Sequence, residues 1–250
     1  EERRQHHHTG AAGFGGGIGI IATPLMALTI PVADAAALML PLLIACDVFA
    51  VNHYRTQFDR RAIKLLLPGA LLGIGTGAFF FGYFSDNERV LQIGIGALSL
   101  LFVLFQATRA LIMGVLEKRH PHPGEGVLMG VISGFTSTLA HAGGPPVAIY
   151  LLPQRLPREL FVGTTVIFFA SINLIKLVPY YNLGLLRTGN LMTTLLLAPL
   201  SYVGVKLGIY LNRHFSELWF NRLVYTILLL TALQLILGRS LLRTFVASLG

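Results

Sequence analysis

Two glycine-rich stretches inside apolar segments are the parts of this sequence best suited to bind a small ligand. The first, residues 13–19, has five glycines in seven positions (Gly-Phe-Gly-Gly-Gly-Ile-Gly). Because glycine is a weak helix former, a regular helix is not expected to run through this stretch. The residues that follow, with Pro24 one turn on, would restart as a half-helix whose free N–H groups and positive dipole end suit an anion. Close helix packing through small residues is the alternative.

The second stretch, residues 140–147, reads Ala-His-Ala-Gly-Gly-Pro-Pro-Val. Pro145 and Pro146 have no N–H and suit the first turn of a new helix. We therefore expect a helix from about residue 126 to break at Gly143 and Gly144, and a second helix to begin near Pro145. Unwound backbone in a membrane persists only inside protein or beside a wet cavity.

Polar side chains come just before this second break. Ser137 and Thr138 lie four and three residues before His141, so the three can share one helix face. Hydroxyls and an imidazole beside a helix break can bind an oxyanion. In the alternative interpretation the hydroxyls bond to their own helix and His141 only packs.

Three further polar residues lie deep in apolar segments. Asp47 is in the second segment, and Asn173 and Lys176 are in the sixth. Ionisable groups inside a membrane are costly and usually mark pathways or pairs. Asp47 could carry a coupling proton and Lys176 could neutralise an anion; a structural Asp–Lys pair, with Lys176 reaching for the interface, stays open.

The elements that must position these residues are membrane helices. Only 12% of the 250 residues are charged, 54% are hydrophobic and the mean hydropathy is +0.69. A bilayer asks for about 20 apolar residues per helix, and eight segments qualify, at about 13–30, 34–53, 62–84, 89–112, 125–152, 160–181, 190–211 and 220–238. The glycine ladders at 69, 73 and 77 and at 126, 130 and 134 are interpreted as helix-packing faces.

Basic residues give the expected orientation. They are concentrated after the second and fourth segments, so these loops should be cytoplasmic. The net charge of +8 does not indicate nucleic acid, because the basic residues lie between apolar segments. The second half stays open: if the fifth segment crosses once, the halves are parallel, and if it returns as a hairpin, the second half is inverted.

An internal repeat is also predicted. Pro68, Gly73 and Gly77 recur as Pro199, Gly204 and Gly208 with the same spacing. At nearly the same offset, residues 16–17 correspond to 143–144, and Asp47 corresponds to Asn173. Duplicated halves are a common transporter architecture, with the substrate site at their interface.

The two breaks resemble the signatures of the TauE/SafE sulfite exporter family. Residues 13–26 resemble its glycine-rich break followed by an apolar stretch ending in Pro-Leu, and residues 141–147 resemble its second-half Gly-Gly-Pro signature. The two repeats and the basic loop after the second segment also look similar, so the resemblance covers nearly the whole chain. Family members usually have an apolar half-helix before the first glycine cluster, whereas residues 1–10 are polar here.

The resemblance implies transport of sulfite, sulfoacetate or a related organosulfonate across the bacterial inner membrane, with export the expected direction. Carried over to this sequence, it places anion-binding loops at Gly15, Gly16 and Gly17 and at Gly143, Gly144 and Pro145. The full set of expected substrate-binding residues adds Thr138, His141, Asn173 and Lys176, with Asp47 as the proton-coupling candidate.

We therefore expect an all-α, multi-pass protein of the inner (plasma) membrane, a bundle of about eight segments in two internal repeats with broken helices at the glycine motifs. Residues 1–10 would be a polar N-terminal segment or an expression remnant, residues 11–119 the first repeat and residues 120–250 the second. The expected mechanism is secondary transport by alternating access, one repeat rocking against the other.

No enzyme activity is expected, because the sequence has no metal-spaced His-Glu pair, Cys pair, phosphate loop or nucleophile elbow. The alternatives are a non-transporting assembly or sensory subunit and a divalent-metal carrier that uses His141, Asp47 and residues 6–8. We expect no cofactor and no resident metal. The expected partners are a small anion and membrane lipids, without nucleic acid, and a homodimer is left open.

Overall fold

The computed structural model describes residues 17–116, 121–186 and 217–238, and these parts are helical with no strand. The eight helices in them are α1 (Gly17–Met26), α2 (Val32–Tyr54), α3 (Arg60–Tyr83), α4 (Glu88–Leu116), α5 (Pro123–Ala140), α6 (Gly144–Leu151), α7 (Arg158–Asn182) and α8 (Glu217–Leu237). A short 3-10 turn, Leu152–Gln154, follows α6. The predicted seventh segment, 190–211, lies outside the described residues.

Four of the described helices are long and apolar enough to cross a membrane. They are Val32–Tyr54, Arg60–Tyr83, Glu88–Arg109 and Arg158–Asn182. At 1.5 Å per residue, the 24 residues of α3 span about 36 Å, which exceeds the hydrocarbon thickness of a bilayer. These helices lie within a few residues of the predicted second, third, fourth and sixth segments.

Polar residues fix where two of these helices begin. The carboxylate of Asp59 accepts from the backbone N–H groups of Arg61 at 2.7 Å and Ala62 at 3.1 Å, which caps α3. His122 and Glu125 form a capping box at the start of α5, with Pro123 in its first turn. Both caps lie outside the apolar part of the helix, where backbone N–H groups would otherwise lack partners.

The described part of the first glycine cluster is helical. Residues 17–19 belong to α1, whereas the sequence predicted a helix only after the glycines. Glycine weakens a helix by only about 1 kcal/mol per residue relative to alanine, so it does not exclude one. Residues 13–16, including Gly15 and Gly16, lie outside the described residues.

Helices α3 and α5 pack side by side in parallel, through glycines on both. A Cβ atom at Gly69 would overlap the carbonyl oxygen of Val127, and one at Gly73 would overlap that of Val131. In turn, a Cβ atom at Gly130 of α5 would overlap the carbonyl oxygen of Leu66 in α3. Such close backbone approach is possible only for glycine, so the prediction that these ladders are packing faces is confirmed.

Helix α6 runs back alongside α5. The hydroxyl of Ser133, midway along α5, donates to the carbonyl of Gly143 at 2.9 Å. Tyr150, near the end of α6, lies against Gly126 in the first turn of α5, where a Cβ would be 2.8 Å from its ring. The chain therefore returns to the end of the bundle from which α5 started.

The bundle thus has two ends. We call the end that carries residues 55–60 and 154–158 the basic end; there the N–H of Asp59 donates to Thr164 at 2.8 Å. At the opposite end, the N–H of Val32 donates to Glu88 at 2.8 Å. The described basic residues concentrated at the basic end are Arg55, Arg60, Arg61, Lys64, Arg155 and Arg158.

The helix directions follow from these ends. Helix α2 runs from the opposite end to the basic end, and α7 runs the other way. Helix α1 finishes at the opposite end, whereas α6 finishes at the basic end. The guanidinium of Arg89, in the first turn of α4, donates to the carbonyls of Leu235 at 2.7 Å and Ile236, so α8 also finishes at the opposite end.

Candidate functional site

A polar face on α7 forms one wall of the candidate site. Asn173, Lys176 and Tyr180 are three and four residues apart, which places them on one side of the helix. Each is buried, and Lys176 has no exposed surface at all. A fully buried ammonium in an apolar helix is costly unless its charge and donors are met by partners.

The partners of Lys176 come from the end of α5. Its Nζ lies 3.0 Å from the hydroxyl of Ser137, 3.2 Å from the carbonyl of the same residue and 3.0 Å from Nδ1 of His141. An ammonium has three N–H donors, so these contacts account for all of them. All three acceptors are neutral groups, so the hydrogen bonds are satisfied while the positive charge is not neutralised at contact distance.

His141 joins three helices. It follows the last residue of α5 in the left-handed conformation, with φ 51°. Its Nε2 lies 3.1 Å from the carbonyl of Ala36 in α2. Because that carbonyl can only accept, Nε2 carries the proton, and Nδ1 is left to accept from Lys176.

The backbone between α5 and α6 is not helical at residues 141–143, and hydroxyls of α5 lie beside its carbonyls. The hydroxyl of Thr136 lies 3.1 Å from the carbonyl of Ala142 and 2.9 Å from that of Ile132 in its own helix, and Ser133 donates to the carbonyl of Gly143. A Cβ at Gly143 would lie 2.6 Å from the hydroxyl of Ser133, so the close approach depends on glycine.

The first turn of α6 offers few free N–H groups. Gly144 is its first residue, and Pro145 and Pro146, which follow, have no N–H at all. The helix dipole still places positive potential at this point. The strongest donors for an anion beside this break are therefore those of Lys176 rather than a run of backbone amides.

Asp47 lies at the inner end of a cleft. Its carboxylate accepts from the side-chain amide of Asn173 at 2.7 Å, which links α2 to α7. A cleft of about 340 Å³ between these helices is lined by Ile44, Asp47, Val48, Val51, Asn52, Arg55, Ala170 and Leu174. Since Arg55 directly follows α2 at the basic end, the cleft leads from that end to Asp47.

The predicted site residues fall into three groups. His141 and Lys176 contact each other, and Asn173, one turn before Lys176 on α7, donates to Asp47. Gly143 lies in the adjoining break, and Gly144 and Pro145 begin α6. Thr138 is buried, but its hydroxyl donates to the carbonyl of Gly134 in its own helix. Gly15 and Gly16 lie outside the described residues, and Gly17 is helical in α1.

Sequence reasoning did not assign three of the groups that complete the site. Tyr180 donates to the carbonyl of Thr138 at 2.7 Å; its position four residues after Lys176 was a usable signal. Ser133 also lies on the buried face of α5. The carbonyl of Ala36 left no trace in the sequence, because every residue has one.

The family model of the sulfite exporters TauE/SafE matches residues 9–235, nearly the whole chain. The chain belongs to the TauE/SafE family. Membership makes it a membrane transporter of sulfur-containing anions rather than an enzyme. No match was found among curated proteins or solved structures. The apolar helices of the bundle agree with the membrane location of the family.

Proposed function

We infer that this family member exports a small sulfur oxyanion, such as sulfite, sulfoacetate or a related organosulfonate, across the bacterial inner membrane. The anion would bind at Lys176, His141 and Ser137, beside the break at residues 141–143. The observation that carries this inference is the ammonium of Lys176, which is fully buried and held only by neutral acceptors.

Charge favours an anion at this position. A buried charge with no counter-ion in contact raises the free energy of the folded protein, and an anion in contact relieves that cost directly. An oxyanion can also accept from the ammonium and from the hydroxyl of Ser137, and charge-assisted hydrogen bonds of this kind are the stronger ones. Sulfite and sulfonates present several oxygens in such a compact group.

Helix directions support an inverted repeat. Asp47 and Asn173, which correspond at an offset of 126, contact each other while their helices run in opposite directions. Helices α1 and α6, which follow the two glycine motifs, also end at opposite ends of the bundle. We expect Gly15 and Gly16, which precede α1 in the chain, to face the second break across the anion, as in transporters with alternating access.

The orientation of the bundle supports binding of the anion from the cytoplasmic side. The basic end should be cytoplasmic, because Arg and Lys accumulate in cytoplasmic loops. The cleft that reaches Asp47 opens at this end. Access from the cytoplasm to the buried polar groups is what an exporter needs in one of its two states.

Replacement of Lys176 tests this proposal. The Lys176→Met variant should bind sulfite or sulfoacetate about ten- to a hundredfold more weakly, because the charged donors are lost. Its stability should fall by about 1–3 kcal/mol, because buried acceptors on Ser137 and His141 lose their donor. Binding of radiolabelled anion, thermal unfolding and flux in proteoliposomes measure the three quantities.

The matched control is Lys64→Met, which removes an exposed lysine from α3 at the basic end. It should bind and transport as the wild type does. A folded Lys176→Met protein with wild-type affinity and flux would exclude the proposed site.

A further inference from the structure

We propose that Asp47 carries one proton with each anion and exchanges that proton at the basic end, through the cleft between α2 and α7. This inference rests on the proposed function and names the coupling ion and its route. The residues that support it are Asp47, Asn173, Lys176 and the lining of the cleft.

The cleft leads from Asp47 to one end of the bundle. Its volume is about 340 Å³, which is enough for several waters. Asp47 and Arg55 are eight residues apart along α2, which is about 12 Å. Asn52 and Arg55, which line the outer part, are exposed. A proton can therefore reach the carboxylate through water, while Asn173 holds it from the protein side.

On the inner side, Asn173 separates Asp47 from the anion site. The amide of Asn173 donates to Asp47, and Lys176 follows one turn later on the same face of α7. The donors of Lys176 are directed to Ser137 and His141. Asp47 therefore balances the charge of Lys176 from a distance rather than as a contact ion pair.

Net charge in the buried site then couples the proton to the anion. With Asp47 ionised and Lys176 protonated, the empty site is neutral. A monovalent anion beside Lys176 would leave one uncompensated negative charge in a medium of low dielectric, which is unfavourable. Protonation of Asp47 restores neutrality, so the loaded state should hold one proton and one anion together.

Other titratable groups near Asp47 do not replace it in this role. Lys176 faces it from α7 beside the neutral amide of Asn173, Arg55 lines the same cleft, and Cys46 precedes it in the chain. His141 faces Lys176 and Ala36 from the end of α5. Among these, Asp47 is the one carboxylate that lines the cleft in the described part of the chain.

One-to-one coupling makes the direction of transport depend on two gradients. With a monovalent anion the cycle moves no net charge, so the membrane potential does not drive it. An acidic exterior favours uptake by about tenfold for each pH unit. Export therefore proceeds only while the outward gradient of the sulfur anion exceeds the inward proton gradient.

The test uses radiolabelled isethionate, an organosulfonate with a single charge that does not titrate near neutral pH. The full-length protein is reconstituted in vesicles with the potential clamped and the outside more acidic by one pH unit. Wild type should accumulate isethionate about tenfold, and a pH dye should report one proton taken up per anion.

The Asp47→Asn variant mimics the protonated carboxyl and keeps an acceptor for Asn173. It should lose accumulation yet retain exchange of isethionate between equal concentrations. Asp47→Glu should restore accumulation, and Asp86→Asn, an exposed carboxylate at the opposite end, should behave as the wild type.

The outcomes separate the two proposals. If wild type transports isethionate down its concentration gradient but takes up no protons, or if Asp47→Asn still accumulates it, the coupling role of Asp47 is wrong and the transporter proposal stands. If wild type moves neither sulfite, sulfoacetate nor isethionate, the transporter proposal itself is wrong. If Asp47→Asn does not fold, the wild type alone tests the coupling: uptake of one proton per anion supports it, and uptake of no protons contradicts it.

Thiol labelling tests the proton route through the cleft separately. In a Cys46→Ala background, Val51→Cys places a thiol in the cleft lining. A membrane-impermeant thiol reagent should modify it when added at the basic end, in inside-out vesicles. Modification only from the other side would exclude the proposed route.

Discussion

At the scale of single residues, the conformation of His141 and its side chain serve the same site. The left-handed backbone turns the chain out of α5, and the imidazole connects Ala36 to Lys176. A non-glycine residue in this region costs roughly 1–2 kcal/mol, so the surrounding contacts must offset that cost.

Two substitutions at position 141 separate the contribution of the left-handed backbone from that of the imidazole. His141→Ala and His141→Gly both remove the imidazole, and both should weaken anion binding. His141→Gly should be more stable than His141→Ala by about 1 kcal/mol, because glycine adopts φ 51° without strain. Thermal unfolding in detergent measures the difference; equal or reversed stabilities would mean that the left-handed turn is not retained.

The sequence predicted the charged members of this site but not their partners. Lys176 and Asn173 were visible because polar residues are rare in apolar segments. The pairing of Lys176 with Ser137 rather than with Asp47 could not be derived, since it depends on how α5 and α7 meet in space. A backbone acceptor such as the carbonyl of Ala36 carries no mark in a sequence.

At the scale of helices, the contact between α3 and α5 depends on missing side chains. Gly73 of α3 leaves room for the carbonyl of Val131. Gly75, on the same helix, faces open space, because a Cβ atom there would have no neighbouring atom within 4 Å. A side chain at Gly73 would therefore overlap α5, whereas one at Gly75 would not overlap any neighbouring atom.

Gly73→Ala and Gly75→Ala form a matched pair. The first should destabilise the protein by about 1–3 kcal/mol, because the new methyl group overlaps backbone of α5. The second should be neutral or stabilise by up to about 1 kcal/mol, because alanine is the better helix former. Unfolding by heat or denaturant in detergent measures both, and a neutral Gly73→Ala would contradict the packing described for α3 and α5.

Helix positions were largely predictable, because a helix in lipid satisfies its own backbone and needs a long apolar run. The ladders of glycine on α3 and α5 were also interpreted correctly as packing faces. The prediction that residues 17–19 would not be helical was wrong, because glycine weakens a helix without excluding it.

At the scale of the whole molecule, the return of α6 beside α5 decides which end of the bundle α7 starts from. The distribution of basic residues was compatible with two paths for the fifth segment, a single crossing of the membrane or a hairpin. Basic residues lie on both sides of the later segments. The contact of Tyr150 with Gly126 distinguishes them, and it depends on packing rather than on charge.

Thiol labelling tests this topology. In the Cys46→Ala background, Gln57→Cys and Glu159→Cys should react with an impermeant reagent from the same face of the membrane, and Asn87→Cys from the other face. The first two positions lie at the basic end and the third at the opposite end. If Glu159→Cys reacts together with Asn87→Cys, the segment before α7 crosses the membrane completely.

The backbone contact between α3 and α5 has a consequence for how the protein can move. Helix α3 belongs to the first predicted repeat and α5 to the second, yet no two described helices approach each other through more glycines. A rocking motion that separated the two repeats along the sequence boundary would have to pull this interlocked pair apart. We therefore expect α3 and α5 to move as one rigid unit, which would contain helices from both predicted repeats.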